Sequence, residues 1–147
     1  MFRGRYEHTI DRKGRIAIPA RFREVLEEEY GGQPLIVTNL ENCLVAYPLP
    51  EWVRFEERAV EIPTTDPKAQ LWLRFFMAAA VECPLDRQGR ILVPSNLREH
   101  GGLDRVAVLS SMGRRFEIWS KDRLQQELAR AQSQPDEYMA ALAKYGI

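Results

Sequence analysis

Asp11-Arg-Lys-Gly-Arg-Ile-Ala-Ile-Pro-Ala-Arg-Phe-Arg-Glu24 recurs without a gap as Asp86-Arg-Gln-Gly-Arg-Ile-Leu-Val-Pro-Ser-Asn-Leu-Arg-Glu99, 75 residues further on. Eight of the fourteen positions are identical: 11/86, 12/87, 14/89, 15/90, 16/91, 19/94, 23/98 and 24/99. Ordinary residue usage would give roughly one match by chance. Ile18 with Val93 and Phe22 with Leu97 are conservative pairs besides. An internal repeat takes precedence over every other reading of a chain, because it names the unit of which the fold is made. This chain is two copies of one small unit.

Each copy reads as strand, tight turn, strand, helix. Asp11 and Asp86 open their turns, where a carboxylate can accept a bond from the backbone two residues on. Gly14 and Gly89 supply positive φ. The pattern suits a hairpin with a type I turn and a glycine bulge. After the turn, Ile16 and Ile18 alternate with Arg15 and Ala17, as Ile91 and Val93 alternate with Arg90 and Leu92. Period two places the aliphatic residues on one face and the arginine on the other. Pro19 and Pro94 end the strands and can open a helix, where a missing N–H costs nothing. Arg12, Lys13 and Arg15, then Arg87 and Arg90, therefore decorate the tip and outer face of each hairpin. A β-ribbon of this kind can enter a DNA major groove. The same spacing also lets Asp11 pair with Arg15, and Asp86 with Arg90, simply to pin the turn.

The rest of the chain sets limits on this reading. Its 147 residues suffice for one medium domain or two intimately joined halves. No run is long and apolar enough to span a bilayer and no leader-like start is seen, so the expectation is a soluble cytoplasmic protein. Cys43 and Cys83 sit in apolar, strand-like contexts and are expected as buried free thiols. With His8 and His100 they show no metal-ligand spacing, so neither a metal nor another cofactor is expected. The net charge is zero, but its sign is segregated. Residues 1–23 carry Arg3, Arg5, Arg12, Lys13, Arg15, Arg21 and Arg23 against Glu7 and Asp11, a local +5. Residues 24–66 carry a compensating −8. Phosphate binding depends on a local stripe of charge, not on the total.

Taken in order, Phe2 to Ile10 is expected as a strand and Ala20 to Glu29 as a helix ended by Gly31-Gly32. Leu35–Thr38 and Cys43–Tyr47 read as strands, and Glu51–Val60 as a helix. Asp66 and Pro67 can cap and open a connecting helix whose Leu71, Trp72, Phe75, Phe76 and Ala79 form a wide apolar face, expected in the core. The second half replays the first. Met77–Leu85 stands for Phe2–Ile10, Gly101-Gly102 ends the repeat helix, and Val106–Leu109 and Phe116–Trp119 are strands. A helix to about Ala131 and a last one over Asp136–Lys144 follow. The organisation expected is a first repeat over 1–64, a connecting helix over 65–76, a second repeat over 77–132 and a C-terminal helix over 133–147.

Among function classes, an enzyme fits poorly. There is no nucleophile–base pair and no glycine-rich phosphate loop, and the repeated residues supply turn and anion-contact chemistry without an acid–base set. RNA fits less well than duplex DNA, since no aromatic platform stands beside the arginines. A protein-interaction scaffold whose arginine turns grip an acidic partner stays open, because guanidinium forks fit carboxylates as well as phosphates.

The opening Met1-Phe2-Arg3-Gly4, the two Asp-x-x-Gly-Arg turns at Asp11–Arg15 and Asp86–Arg90, and Tyr47-Pro48-Leu49-Pro50-Glu51-Trp52 together resemble the MraZ family over essentially the whole chain. The resemblance implies an α+β fold: a duplicated, pseudo-twofold AbrB-like swapped-hairpin (double-split) β-barrel with short flanking helices. It implies a nucleoid-associated transcriptional regulator of the division and cell-wall gene cluster that binds double-stranded DNA. Its subunits would assemble into a ring, an octamer or similar. The family's Asp-x-x-x-Arg motif falls on Asp11/Arg15 and Asp86/Arg90. The expected DNA contacts are Arg3, Arg5, Arg12, Lys13, Arg15, Arg87 and Arg90, on turns held by Asp11, Gly14, Asp86 and Gly89. The alternative is a ring-forming scaffold.

Overall fold

A computed structural model describes residues 1–147. Eight strands and six α-helices alternate along the chain. The first half holds β1 (Arg5–Thr9), β2 (Arg15–Ala17), α1 (Ala20–Tyr30), β3 (Leu35–Asn39), β4 (Leu44–Pro48) and α2 (Leu49–Ala59). Helix α3 (Pro67–Phe76) connects to β5 (Val81–Cys83), β6 (Arg90–Leu92), α4 (Ser95–Gly101), β7 (Val106–Ser111), β8 (Phe116–Trp119) and α5 (Lys121–Ser133). A short α6 (Pro135–Leu142) and a single 3-10 turn (Ala143–Tyr145) close the chain. No helix is long and apolar enough to cross a membrane.

The fold is α+β and all of its strand pairs are antiparallel. One sheet has six strands in the order β1-β7-β8-β4-β3-β5, and a second has only β2 and β6. Exchanging the two halves reverses the six-strand order onto itself, so a pseudo-twofold axis runs between β4 and β8 and between β2 and β6. The register agrees. His8 faces Ala107 where Cys83 faces Leu35, and Ile16 faces its own counterpart Ile91. The first strand of each half is thus given to the other half: β1 joins β7, and β5 joins β3.

This pairing modifies the hairpin expected from the sequence. Beyond the turn, β1 and β2 share only the bridge Ile10–Ile16. Each then pairs with a strand of the opposite half, because that alone brings the apolar faces of both copies to one core. Ile16, Ile18, Ile91 and Val93 are all at most 1 % exposed and lie in a single cluster with Phe22, Leu35, Leu44, Leu97, Leu109, Phe116 and Ile118. Phe2, Phe22 and Phe116 interlock there, with ring centroids about 5 Å apart. Two smaller clusters are built around α2 with α3 (Ile36, Val45, Trp52, Phe76) and α5 (Cys43, Val108, Trp119, Leu124).

Local signals act largely as expected. Asp66 caps α3 by accepting from the Ala69 N–H. The structure adds a cap not anticipated from the sequence, Ser120 on α5, which accepts from the Arg123 N–H. Gly31 and Gly102 take the left-handed conformation that ends α1 and α4. Two expectations need correction. The strand anticipated over Met77–Leu85 is only Val81–Cys83, because α3 reaches Phe76 and a turn follows it. The connecting helix does not bury its whole apolar face. Phe76 is buried, but Trp72 is 47 % and Leu71 66 % exposed. Periodicity shows that a helix has an apolar face, but not that the same chain covers it.

Candidate nucleic-acid interface

The repeated turns are closed by their own residues. In the first, the Gly14 N–H donates to the Asp11 carbonyl at 3.0 Å and the Asp11 N–H to the Arg15 carbonyl at 3.1 Å. The Asp11 carboxylate accepts from the backbone N–H groups of Lys13 and Arg15, both at 2.9 Å, and from Arg15 Nε at 2.6 Å. The second turn repeats this set. Asp86 accepts from the N–H groups of Gln88 (2.8 Å) and Arg90 (3.0 Å) and from Arg90 Nε (3.1 Å). Gly14 and Gly89 have φ of 89° and 74°, a region that costs a residue with a Cβ about 1–2 kcal/mol. The Arg15 N–H, then Arg15 itself, hold the Asp11 carboxyl down to about 2, and the Arg90 N–H holds Asp86 below the usual carboxylate range. Both carboxylates are therefore charged at neutral pH.

Between the turns runs the β2·β6 ribbon. Arg15 stands opposite Leu92 and Ala17 opposite Arg90, so the two arginines lie diagonally on its outer face while Ile16 and Ile91 fill the inner one. Asp11 draws on both: Arg90 Nη1 comes within 3.7 Å of the carboxylate that Arg15 already holds. Each arginine spends its Nε on its own aspartate, which orients the guanidinium and leaves other N–H groups free. At the turn tips Arg12, Lys13 and Arg87 are exposed and form no ion pair, so each tip carries positive charge that no carboxylate of the chain neutralises directly.

The turns are tied into one unit. The Val93 N–H donates to the Gly14 carbonyl at 3.0 Å and the Ile18 N–H to the Gly89 carbonyl at 2.9 Å. Arg98 Nε donates to the Val93 carbonyl at 3.0 Å, with its guanidinium over Gly14, and Arg23 lies over Gly89 in the same manner. Repetition at 23/98 marked this pair in the sequence, but the helical position gave no hint of the role. Arg3 and Arg5, by contrast, are not brought to the turns. Arg5 begins β1, about 16 Å from Ile10 at the rise of a strand. It lies beside Ser110, with Nε 3.4 Å from the hydroxyl. No cluster of side chains suited to a metal exists.

The family model described as "MraZ protein, putative antitoxin-like" matches residues 1–75 and again residues 76–143. Among curated relatives, a protein of Desulfitobacterium hafniense is 50 % identical over 121 residues, 82 % of each chain. One of Moorella thermoacetica is 46 % identical over 144 residues, 98 % of this chain and 96 % of its own. One of Pelotomaculum thermopropionicum is 45 % identical over 137 residues, covering 93 % and 92 %. Each of the three is named Transcriptional regulator MraZ. The model recurs once in each half that the repeated turn had already marked out, and the relatives align along most of the length: this chain belongs to the MraZ family.

Proposed function

We propose that this protein is a sequence-specific DNA-binding transcriptional regulator of the division and cell-wall gene cluster, which presents the β2·β6 ribbon and its two flanking turns to the major groove. The observation that carries the reading is the outer face of the ribbon: Arg15 and Arg90, each oriented by an aspartate, between tips bearing Arg12, Lys13 and Arg87. A two-stranded ribbon fits the major groove of B-DNA, and an arginine with two free N–H groups can grip the guanine edge. Arg15 and Arg90 are the base-reading candidates. Arg12, Lys13 and Arg87 are the phosphate contacts, and Arg3 and Arg5 are outlying ones. Asp11, Gly14, Asp86 and Gly89 keep the turns in shape for this. The relatives' names support the regulatory role.

The exchange of first strands and the central β2·β6 pair favour reading the fold as a duplicated swapped-hairpin β-barrel of the AbrB-like type. In that reading the repeats are 1–64 and 77–132, joined by 65–76 and followed by 133–147. One ribbon makes few phosphate contacts, so useful affinity calls for several side by side, where linked sites gain through effective concentration. The exposed Leu71 and Trp72, and the exposed Tyr138, Met139 and Leu142 of α6, are surfaces suited to self-association into a ring on repeated promoter elements.

The test is binding of a duplex from upstream of the protein's own gene, against a random duplex, at two salt concentrations. Arg15→Ala and Arg90→Ala are each expected to cost ~1–3 kcal/mol and to relax sequence preference. Arg21→Ala is expected to bind as the parent does, since Arg21 is an exposed helix residue paired with Glu24 of the same helix. If Arg15→Ala folds, assembles and binds the upstream duplex like the parent, the ribbon is not the reading surface. Failure of the parent to bind duplex DNA at all would favour the scaffold.

A further inference from the structure

We infer that Arg98 and Arg23 are positioning residues that act across the pseudo-twofold axis, each setting the turn of the opposite half. The inference rests on the assignment of the turns as DNA contacts. Arg98 belongs to α4 in the second half, yet its guanidinium covers Gly14 in the first. A Cβ added at Gly14 would meet Arg98 Nε at 2.6 Å and Cζ at 2.7 Å. The same side chain donates Nε to the Val93 carbonyl, and the Val93 N–H holds the Gly14 carbonyl. The chain Arg98–Val93–Gly14 thus joins a helix of one half to the loop that carries Arg12 and Lys13 of the other. Arg23 takes the equivalent place by a different bond: it covers Gly89, whose carbonyl is held by the Ile18 N–H, and donates Nη1 to the Gln88 carbonyl of that turn at 3.4 Å.

These two arginines belong to the repeat, yet they take no part in closing their own turns. Neither forms an ion pair with a carboxylate. Arg98 is only partly exposed and its Nε is occupied by a backbone carbonyl, so it is placed to brace the loop. The glycine gains a second reason for being glycine: it takes positive φ, and it leaves the space in which the guanidinium lies. The two braces are unequal. Arg98 has the shorter bond and is half-buried, while Arg23 is exposed with the longer one, so the first turn is the more firmly held. A loop held in its bound shape binds more tightly because less ordering remains to be done on association.

The experiment uses the full chain and four variants: Arg98→Ala, Arg98→Lys, Arg23→Ala and Arg15→Ala. Affinity for the upstream duplex is measured over a salt series, and hydrogen exchange is followed in peptides carrying Val93 and Ile18. Arg98→Ala is expected to lose about 10-fold in affinity, the loss of one hydrogen bond. The slope of log K against log salt should not change, because no phosphate contact is removed. Exchange should quicken at Val93 and stay as in the parent at Ile18. Arg23→Ala should quicken Ile18 instead, with a smaller loss of affinity. Arg98→Lys, which keeps the charge without the planar fork, should resemble Arg98→Ala. Full affinity in Arg98→Lys, a slope reduced by about one in Arg98→Ala, or unchanged exchange at Val93 would each overturn the positioning role. Loss of binding in Arg15→Ala with parental binding in Arg98→Ala would overturn the brace alone. Parental binding in Arg15→Ala would overturn the turn assignment beneath it.

Discussion

Replacing Ile16 by alanine probes the junction on which both halves depend. Ile16 is fully buried, faces its counterpart Ile91 across the axis, and lies in a cluster drawn from both halves. The change removes three carbons. At about 0.8 kcal/mol per buried methylene the transfer loss is about 2.4 kcal/mol. A cavity closed on every side by core residues adds to this, so about 3–4 kcal/mol is expected, within the usual cost of such truncations. For a chain of this size that lowers Tm by about 10 °C. The assay is guanidinium unfolding at fixed protein concentration, followed in two single-tryptophan backgrounds. One keeps Trp52, beside α3 in the first half, and the other Trp119, beside α5 in the second. Because β1 pairs with β7 and β5 with β3, neither half can lose its core alone. Both probes should report the same lowered midpoint with the slope unchanged. A Trp119 transition left at the parental midpoint, or a loss under about 1 kcal/mol, would refute the shared core.

Three further outcomes are expected. Asp11 has its pKa lowered, so its contribution to stability is complete above the ordinary aspartate range and is lost as pH falls from about 4 towards 2; a carboxyl titration by NMR should give a midpoint near 2, and an ordinary midpoint would exclude the turn geometry described. Cys43 and Cys83 are both buried, and loss of solvation raises both thiols, Cys83 to about 11; a thiol reagent at pH 8 should modify them only as fast as the protein opens, and rapid modification of either would contradict the packing. Trp72→Ser should weaken self-association in sedimentation, and because the half-exposed ring also packs on Phe75 and Phe76 the assembly is to be read where unfolding curves show the variant still folded; an unchanged assembly would remove α3 from any interface.

Much of the molecule could be read from residue order alone. The repeat, the Asp and Gly that shape its turns, the alternation of Ile16 and Ile18 with Arg15, and the caps at Asp66 and Gly31 are local. Each depends on backbone sterics and side-chain reach within a few residues, so neighbouring letters suffice to determine it. Charge segregation was equally visible, because it is a property of composition along the chain. The pairing of strands was not. Alternation tells which face of β1 is apolar, but not that its partner is β7, about 100 residues away, instead of β2 beside it. That choice belongs to the tertiary structure, because only the joint burial of Ile16, Ile18, Ile91 and Val93 favours the exchanged arrangement over two separate hairpins. Three consequences follow from it alone. The ribbon combines Arg15 of one half with Arg90 of the other. Asp11 reaches both. Arg98 and Arg23 lie over turns 84 and 66 positions away, at Gly14 and Gly89 respectively. Side chains remote in sequence become neighbours only when the core that both halves share has formed, and no local preference encodes that.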